Sequence, residues 1–196
     1  TYDCVLVVGV EKLSAIVDYR NRETCVLFGD GAGATVFTSY ERAGRARYLG
    51  GSTRMSGAQE DVLMVPAGGS RNPASHDTVE QRRHFIHMGG KRVYRFAVKT
   101  LAELVQKSVE PYGYDELGLV VPHQVNLRII ESAAERIDLP MEKVFTNIQS
   151  YGNTSAASVP LALDEAFRAG LLESGKLICM PAFGAGMAWG HVLLRW

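Results

Sequence analysis

Blocks of apolar residues, separated by polar and glycine-rich punctuation, predict a chain that switches between strands and helices. Val5 to Val10 is an almost unbroken apolar run, the mark of a strand covered on both faces. Glu11 to Thr24 is polar and loop-like, Cys25 to Phe28 is strand-like, and Gly29-Asp30-Gly31-Ala32-Gly33 punctuates it. Ala34 to Ser39 and Arg45 to Thr53 resume extended patterns. Ser56 to His87 is the least regular stretch, an excursion of a length that is usually functional or mobile. Lys91 to Val109 sets Val93, Phe96, Ala97, Leu101, Leu104 and Val105 on one helical face, and Pro111, Gly113 and Asp115 end it.

The second half alternates more regularly. Leu117 to Val121 predicts a short buried strand, Asn126 to Ile137 a helix, and Val144 to Ile148 a strand. A helix follows Asn153 to about Ala169, with Gly170 as its C-cap and Pro160 early enough to be tolerated or to kink it. Leu177 to Pro181 and Met187 to Trp196 read as strands joined by a turn at Phe183-Gly184-Ala185-Gly186. The order βαβαββ, after an opening of strands, predicts a layered α/β fold.

Composition narrows the function without naming it. Lys plus Arg and Asp plus Glu are equal at 21 each, so global charge points neither to nucleic acid nor to an anionic membrane. Cys4, Cys25 and Cys179 are too few and too scattered for a disulfide framework or a metal site, and each lies in an apolar run that reads as a buried strand. No apolar stretch has the length of a membrane span and no signal peptide is visible, so a cytoplasmic setting is expected. The chain opens on Thr1-Tyr2-Asp3 and enters a core-type strand at once, which reads as a piece of something longer.

Two polar residues stand out against this background. His123 ends a strand, and Asn153 precedes a helix; strand ends are rigid and helix N-termini are electropositive, so reacting groups gather there. Each has a plain alternative: a structural histidine, and an ordinary helix N-cap. Together they offer two donors to an oxyanion and no nucleophile. Cys25 lacks the electropositive, accessible setting of a reactive thiolate, as do Cys4 and Cys179. The glycines of residues 29–33 suit a tight turn better than a phosphate cradle, since neither the P-loop ending nor the dinucleotide spacing is present. Arg82, Arg83, Lys91, Arg92, Arg95 and Arg128 suit a basic patch or simply solvated helix faces.

The motifs Phe28-Gly-Asp-Gly-Ala-Gly33, Pro122-His-Gln-Val-Asn-Leu-Arg-Ile-Ile130, Gly152-Asn-Thr-Ser-Ala-Ala-Ser158 and Ala182-Phe-Gly-Ala-Gly186 occur in that order. In this they resemble the β-ketoacyl-[acyl carrier protein] synthase III family of thiolase-fold condensing enzymes. The resemblance runs from Val5 to Trp196 and is weakest between Tyr40 and His87. It implies a thiolase-like α/β/α fold, with residues 1–196 as the C-terminal half of a pseudo-duplicated enzyme. It also implies a Cys-His-Asn triad in which His123 and Asn153 are two members and the cysteine lies on a missing N-terminal half or another chain.

The implied reaction begins fatty acid synthesis: an acyl-CoA primer loads the cysteine, and malonyl-acyl carrier protein loses carbon dioxide and condenses with it. No cofactor or metal is implied; the partners are acyl-CoA, acyl carrier protein and a second copy, with no nucleic acid or membrane. By the same resemblance, Phe183, Gly184 and Ala185 form the active-site loop, with the Ala185 N–H in the oxyanion hole. Arg22 packs on the CoA adenine, Phe28 lines the acyl pocket, Gly90 lies along the pantetheine channel, and Asn126 orients water or malonyl. Gln124, Val125, Asn126, Leu127, Arg128 and Arg95 contact the carrier protein. Two departures stand out: Val125 replaces a usual alanine and Ala185 a common glycine. The rival readings are a condensing or acyl-transfer enzyme of secondary metabolism, a non-catalytic partner subunit, and a small phosphate-ligand module on the glycine loops.

Overall fold

A computed structural model describes residues 2–196. Along them run β1 (Cys4–Lys12), β2 (Asp30–Thr38), α1 (Tyr40–Ala43), β3 (Arg47–Met55), β4 (Leu63–Met64), α2 (His76–Glu80) and β5 (His87–Met88). There follow α3 (Gly90–Val109), β6 (Leu117–Val120), α4 (Leu127–Glu135), α5 (Ile148–Tyr151), α6 (Ser158–Arg168), β7 (Leu177–Gly184) and β8 (Ala188–Arg195). Four strands form a mixed sheet in the order β3-β8-β7-β6, in which only β6 and β7 are parallel. β1 and β2 make a separate antiparallel ladder from Cys4 opposite Thr38 to Lys12 opposite Asp30.

β7 is the centre of the core because its side chains alternate between two helical layers. Leu177 and Cys179 pack with Val105, Val109, Ile130 and Ala134 of α3 and α4. Ile178 and Met180 point the other way, onto Ala162 and Ala166 of α6. Leu177 and Ile178 are fully buried; such a side chain contributes about 1.5–3 kcal/mol when taken out of water. The outer face of α6 meets β2. A Cβ on Gly33 would lie 2.8 Å from Pro160 Cγ, so glycine is what lets helix and strand close. Pro160 itself sits in the first turn of α6, where its missing N–H leaves no bond unmade. The layers are therefore α3 and α4, the mixed sheet, α6, and the β1–β2 ladder.

Several expectations change on contact with this architecture. The run Val5 to Val10 is a strand, but it is not covered on both faces: Val5, Leu6, Val7, Val8 and Val10 are 43% to 65% exposed, because β1 pairs only with β2. Cys4 is consequently exposed and Cys25 half-buried, and only Cys179 is a buried thiol. Cys25 to Phe28 forms turns, with a single bridge from Phe28 to Asn153. The glycines of residues 29–33 lie largely within β2 instead of turning between strands. Val144 to Ile148 keeps one bridge, Val144 to Val120, before α5 begins. The excursion from Ser56 to His87 carries α2 and the β4–β5 pair, and Ile86 N–H donates to Ile16 O at 2.8 Å.

Between the β1–β2 ladder and the mixed sheet, alongside α6, lies a groove of about 1,020 Å³. Val7, Phe37, Val159, Leu163, Phe183 and His191 are among its walls. No helix of the described residues is long and apolar enough to cross a membrane.

Candidate active site

The segment after β6 continues the parallel ladder: Val121 N–H donates to Cys179 O at 2.8 Å, and His123 N–H to Pro181 O at 2.9 Å. His123 therefore sits on backbone as rigid as a strand. Gln124 then locks the loop. Its Nε2 donates to Pro122 O at 2.9 Å and Phe145 O at 3.2 Å, and its Oε1 accepts from Asn147 N at 3.0 Å. Asn126 caps α4 by accepting from Arg128 N at 3.0 Å, a type of bond typically worth about 1 kcal/mol.

The His123 ring reaches across to the other motif. Its Nδ1 lies 2.7 Å from Ser158 Oγ, the first residue of α6, which follows Asn153 through the 3-10 turn Ser155–Ala157. The imidazole forms a T-shaped pair with the Phe183 ring, with centroids 5.9 Å apart. Burial pushes the imidazole down from the ordinary 6.5 to about 4, so His123 is neutral at pH 7.

Asn153 is held from both sides. Its N–H donates to Leu27 O at 2.8 Å, its O accepts from Gly29 N at 2.9 Å, and its Oδ1 accepts from Ser155 N at 2.9 Å. With Oδ1 committed, the Nδ2 amide is the end left to donate outward. Behind this turn, Glu165 on α6 takes hydrogen bonds from Asn147 Nδ2 and Tyr151 Oη. Both His123 and Asn153 are less than a tenth exposed. A neutral, buried N–H donor anchored through its other polar atom, as each of these is, can stabilise an oxygen that gains negative charge.

The remaining candidates divide. Phe183 is buried, and Ala185 is exposed in the turn between β7 and β8. Phe28 is half-buried beside Asn153, and Gly90 opens α3 with nothing within 4 Å of an added Cβ. Arg22 is exposed, in a loop that Asp18 ties to Arg82 at 2.5 Å. That hydrogen bond holds the Asp18 carboxyl at about 2.

Gln124 and Val125 contradict their expected place at a carrier-protein surface. They are only 1% and 9% exposed, because Gln124 staples the loop and Val125 packs with Ile129 and Phe183. Leu127, Arg128 and Arg95 are exposed as expected. Arg92 is paired with Asp61 and Arg82 with Asp18, which removes two cations from the basic patch. The phosphate-cradle reading of residues 29–33 fails, since Gly31 and Gly33 lie against Leu161 and Pro160. Sequence reasoning missed Ser158, Gln124 as a staple, and Glu165; Ser158 ends the Gly152–Ser158 motif, which was the only available signal.

Cys179 is unreactive. Burial raises its thiol to about 12, and Ser108 Oγ sits 3.1 Å away on α3. None of the three cysteines is a hydrogen-bond partner of His123 or Asn153.

The comparisons with known proteins bear on this arrangement directly. Residues 1–54 match the model of 3-oxoacyl-[acyl-carrier-protein (ACP)] synthase III, and residues 109–196 match that of its C-terminal part. The chain belongs to this family. It is 48% identical over its whole length to a β-ketoacyl-[acyl-carrier-protein] synthase III of Symbiobacterium thermophilum, and spans 59% of that protein. A crystal structure of the synthase III from Aquifex aeolicus VF5 superposes with a TM-score of 0.84 at 43% identity, covering 99% of this chain and 58% of that one. One from Pseudomonas aeruginosa PAO1 gives 0.83 at 39%, with 99% and 58% covered. The fold is accordingly thiolase-like, and the chain spans about three fifths of the length of these relatives.

A pH dependence follows from His123. The unfolded imidazole takes a proton near 6.5, the folded one only near 4, so between those values the unfolded state binds more protons. The stability from keeping the ring neutral is complete above pH 6.5 and is lost as pH falls towards 4, by about 3 kcal/mol in all. Urea unfolding from pH 7 to 4 should show this loss in the wild type and not in His123→Gln. Parallel curves for the two proteins would contradict a buried neutral His123.

Proposed function

We propose that this chain supplies the decarboxylating donors of a β-ketoacyl-[acyl-carrier-protein] synthase III, which condenses an acyl-CoA primer with malonyl-acyl carrier protein. The observation that carries this reading is the bond from Ser158 to His123, which ties the imidazole to the helix whose preceding turn presents Asn153. A cysteine from outside residues 1–196 attacks the acyl-CoA carbonyl, and the CoA thiol leaves. The cysteine's own N–H and that of Ala185 receive the transient oxyanion. Malonyl-acyl carrier protein then loses carbon dioxide, and the electron pair moves onto its thioester oxygen. His123 and Asn153 donate to that oxygen, the resulting carbanion attacks the acyl-cysteine, and the cysteine leaves as the thiolate. Phe183, in a T-shaped pair with His123, helps keep the site dry.

The groove beside α6 offers a face that a further segment of the protein would cover. It lies between two strand layers and is walled by Phe183 at one point and by exposed apolar residues of β1 and β2 elsewhere. A helix of an N-terminal half, bearing the cysteine at its start, would cover those residues and bring sulfur beside His123. The exposed apolar residues of β1 are the face that such a segment or a second copy would cover. Unpaired thiols at Cys4, Cys25 and Cys179 suit a reducing, cytoplasmic setting. Arg22 is assigned to the CoA adenine, Gly90 to the pantetheine channel, Phe28 to the acyl pocket and Asn126 to orienting water or malonyl.

The intact protein, given acyl-CoA and malonyl-acyl carrier protein, should release carbon dioxide and form a β-ketoacyl carrier protein. Failure to form either would end this reading. Docking of the acidic carrier protein falls to Arg128 and Arg95, which have no acidic partner among the described residues. Arg128→Glu should raise the KM for malonyl-acyl carrier protein by about tenfold and leave that for acyl-CoA unchanged. Equal KM values for the carrier protein in variant and wild type would remove Arg128 from the interface.

A further inference from the structure

We infer that Ser158 is a positioning residue that fixes His123 in the tautomer with its proton on Nε2. The inference rests on the reading of His123 as a donor to the developing oxyanion, and the proton inventory around one hydroxyl carries it. Ser158 Oγ lies 2.7 Å from His123 Nδ1 and 3.3 Å from Gln124 N. The Gln124 N–H can only donate, so it occupies a lone pair of the hydroxyl. The hydroxyl proton then has a single acceptor among the described residues, the Nδ1 of His123.

An Nδ1 that accepts carries no proton, so the neutral ring holds its hydrogen on Nε2. The opposite tautomer would make Nδ1–H a second donor to Ser158. The hydroxyl proton would then be stranded, on a side chain 1% exposed, and a buried donor without a partner is costly. Nε2 has no hydrogen-bond partner among the described residues, so its N–H is the one left for a substrate. Ser158 thus plays for His123 the part that Ser155 N–H plays for Asn153. Each anchors the atom turned away from the substrate and so fixes which atom donates. Donors set before the substrate arrives need no reorganisation during the reaction.

The test is a long-range proton–nitrogen correlation spectrum of the intact protein labelled with nitrogen-15 histidine, with His123 assigned through His123→Gln. The expected spectrum shows a protonated Nε2 and a bare Nδ1 at His123. A protonated Nδ1 in the wild type would overturn the inference, and that outcome needs no variant to fold. Ser158→Ala should shift the tautomer ratio at least tenfold towards Nδ1–H and lower kcat for malonyl decarboxylation, with little change in KM. Ser158→Thr, which keeps the hydroxyl, should retain the Nε2–H form. An unchanged tautomer in a folded Ser158→Ala would also overturn it. If the tautomer is as inferred but His123→Ala decarboxylates malonyl normally, the functional reading fails and the role of Ser158 in holding the ring stands.

Discussion

Replacing His123 or Asn153 by alanine in the intact protein is expected to slow malonyl decarboxylation by about 100- to 1,000-fold each. Transfer of an acyl group from acyl-CoA to the cysteine should persist. Under the proposed function the asymmetry arises because the two side chains would serve one oxygen in one half-reaction, whereas acyl transfer would use the backbone N–H groups at the Ala185 turn and at the cysteine. Both are buried and neutral, and both are held through their other polar atom, so neither is replaceable by water at the same point. The double variant should cost little more than the worse single one, since groups that act as a unit are far from additive. Carbon dioxide release and the mass of the acylated protein separate the two steps. Equal loss of both half-reactions would refute the assignment of roles.

Gly29→Ala is expected to damage the site from a position that touches no substrate. An added Cβ would overlap the Tyr151 carbonyl oxygen and come within 3.2 Å of its carbonyl carbon. The strands of contact on either side, Asn153 N–H to Leu27 O and Gly29 N–H to Asn153 O, leave the turn no room to yield without moving Asn153. Forcing an atom into such a place costs about 1–3 kcal/mol of stability, and a displacement of about 1 Å at a catalytic group costs about 100-fold in rate. Gly50→Ala is the control, since nothing lies within 4 Å of a Cβ there, and it should change stability by no more than about 0.5 kcal/mol. Chemical denaturation and decarboxylation rates for the pair decide the matter. Similar behaviour of the two variants would contradict the close packing of the Asn153 turn on Gly29.

What the amino-acid order reveals, and what it conceals, follows from the range of each physical signal. Helix α3 and strand β7 are readable because their apolar spacing is local and regular, and each buries the face that the spacing marks. The strand end at His123 and the helix start after Asn153 are readable, but each place also suits a structural histidine or an ordinary N-cap, and only the surrounding motifs single the two residues out. The exposure of β1 is not readable: an apolar run reports that cover is needed, not which segment supplies it. Gln124 illustrates the same limit in reverse. It sits among exposed-looking polar residues, yet Pro122, Phe145 and Asn147 consume its amide, and Phe145 and Asn147 lie on a segment more than 20 positions away. Ser158 is hidden for the same reason, as its partner His123 lies 35 positions back. Cys25 to Phe28 has strand-like composition but no neighbouring strand to pair with beyond the one bridge at Phe28.

The proposed mechanism needs two N–H groups to meet at one oxygen. A crystal structure of the intact protein with an unreactive malonyl thioester analogue measures this directly. The analogue's thioester oxygen should lie within hydrogen-bonding distance of both His123 Nε2 and Asn153 Nδ2, with a cysteine sulfur other than those of Cys4, Cys25 and Cys179 beside it. An oxygen bound by only one of the two, or by neither, would contradict the account.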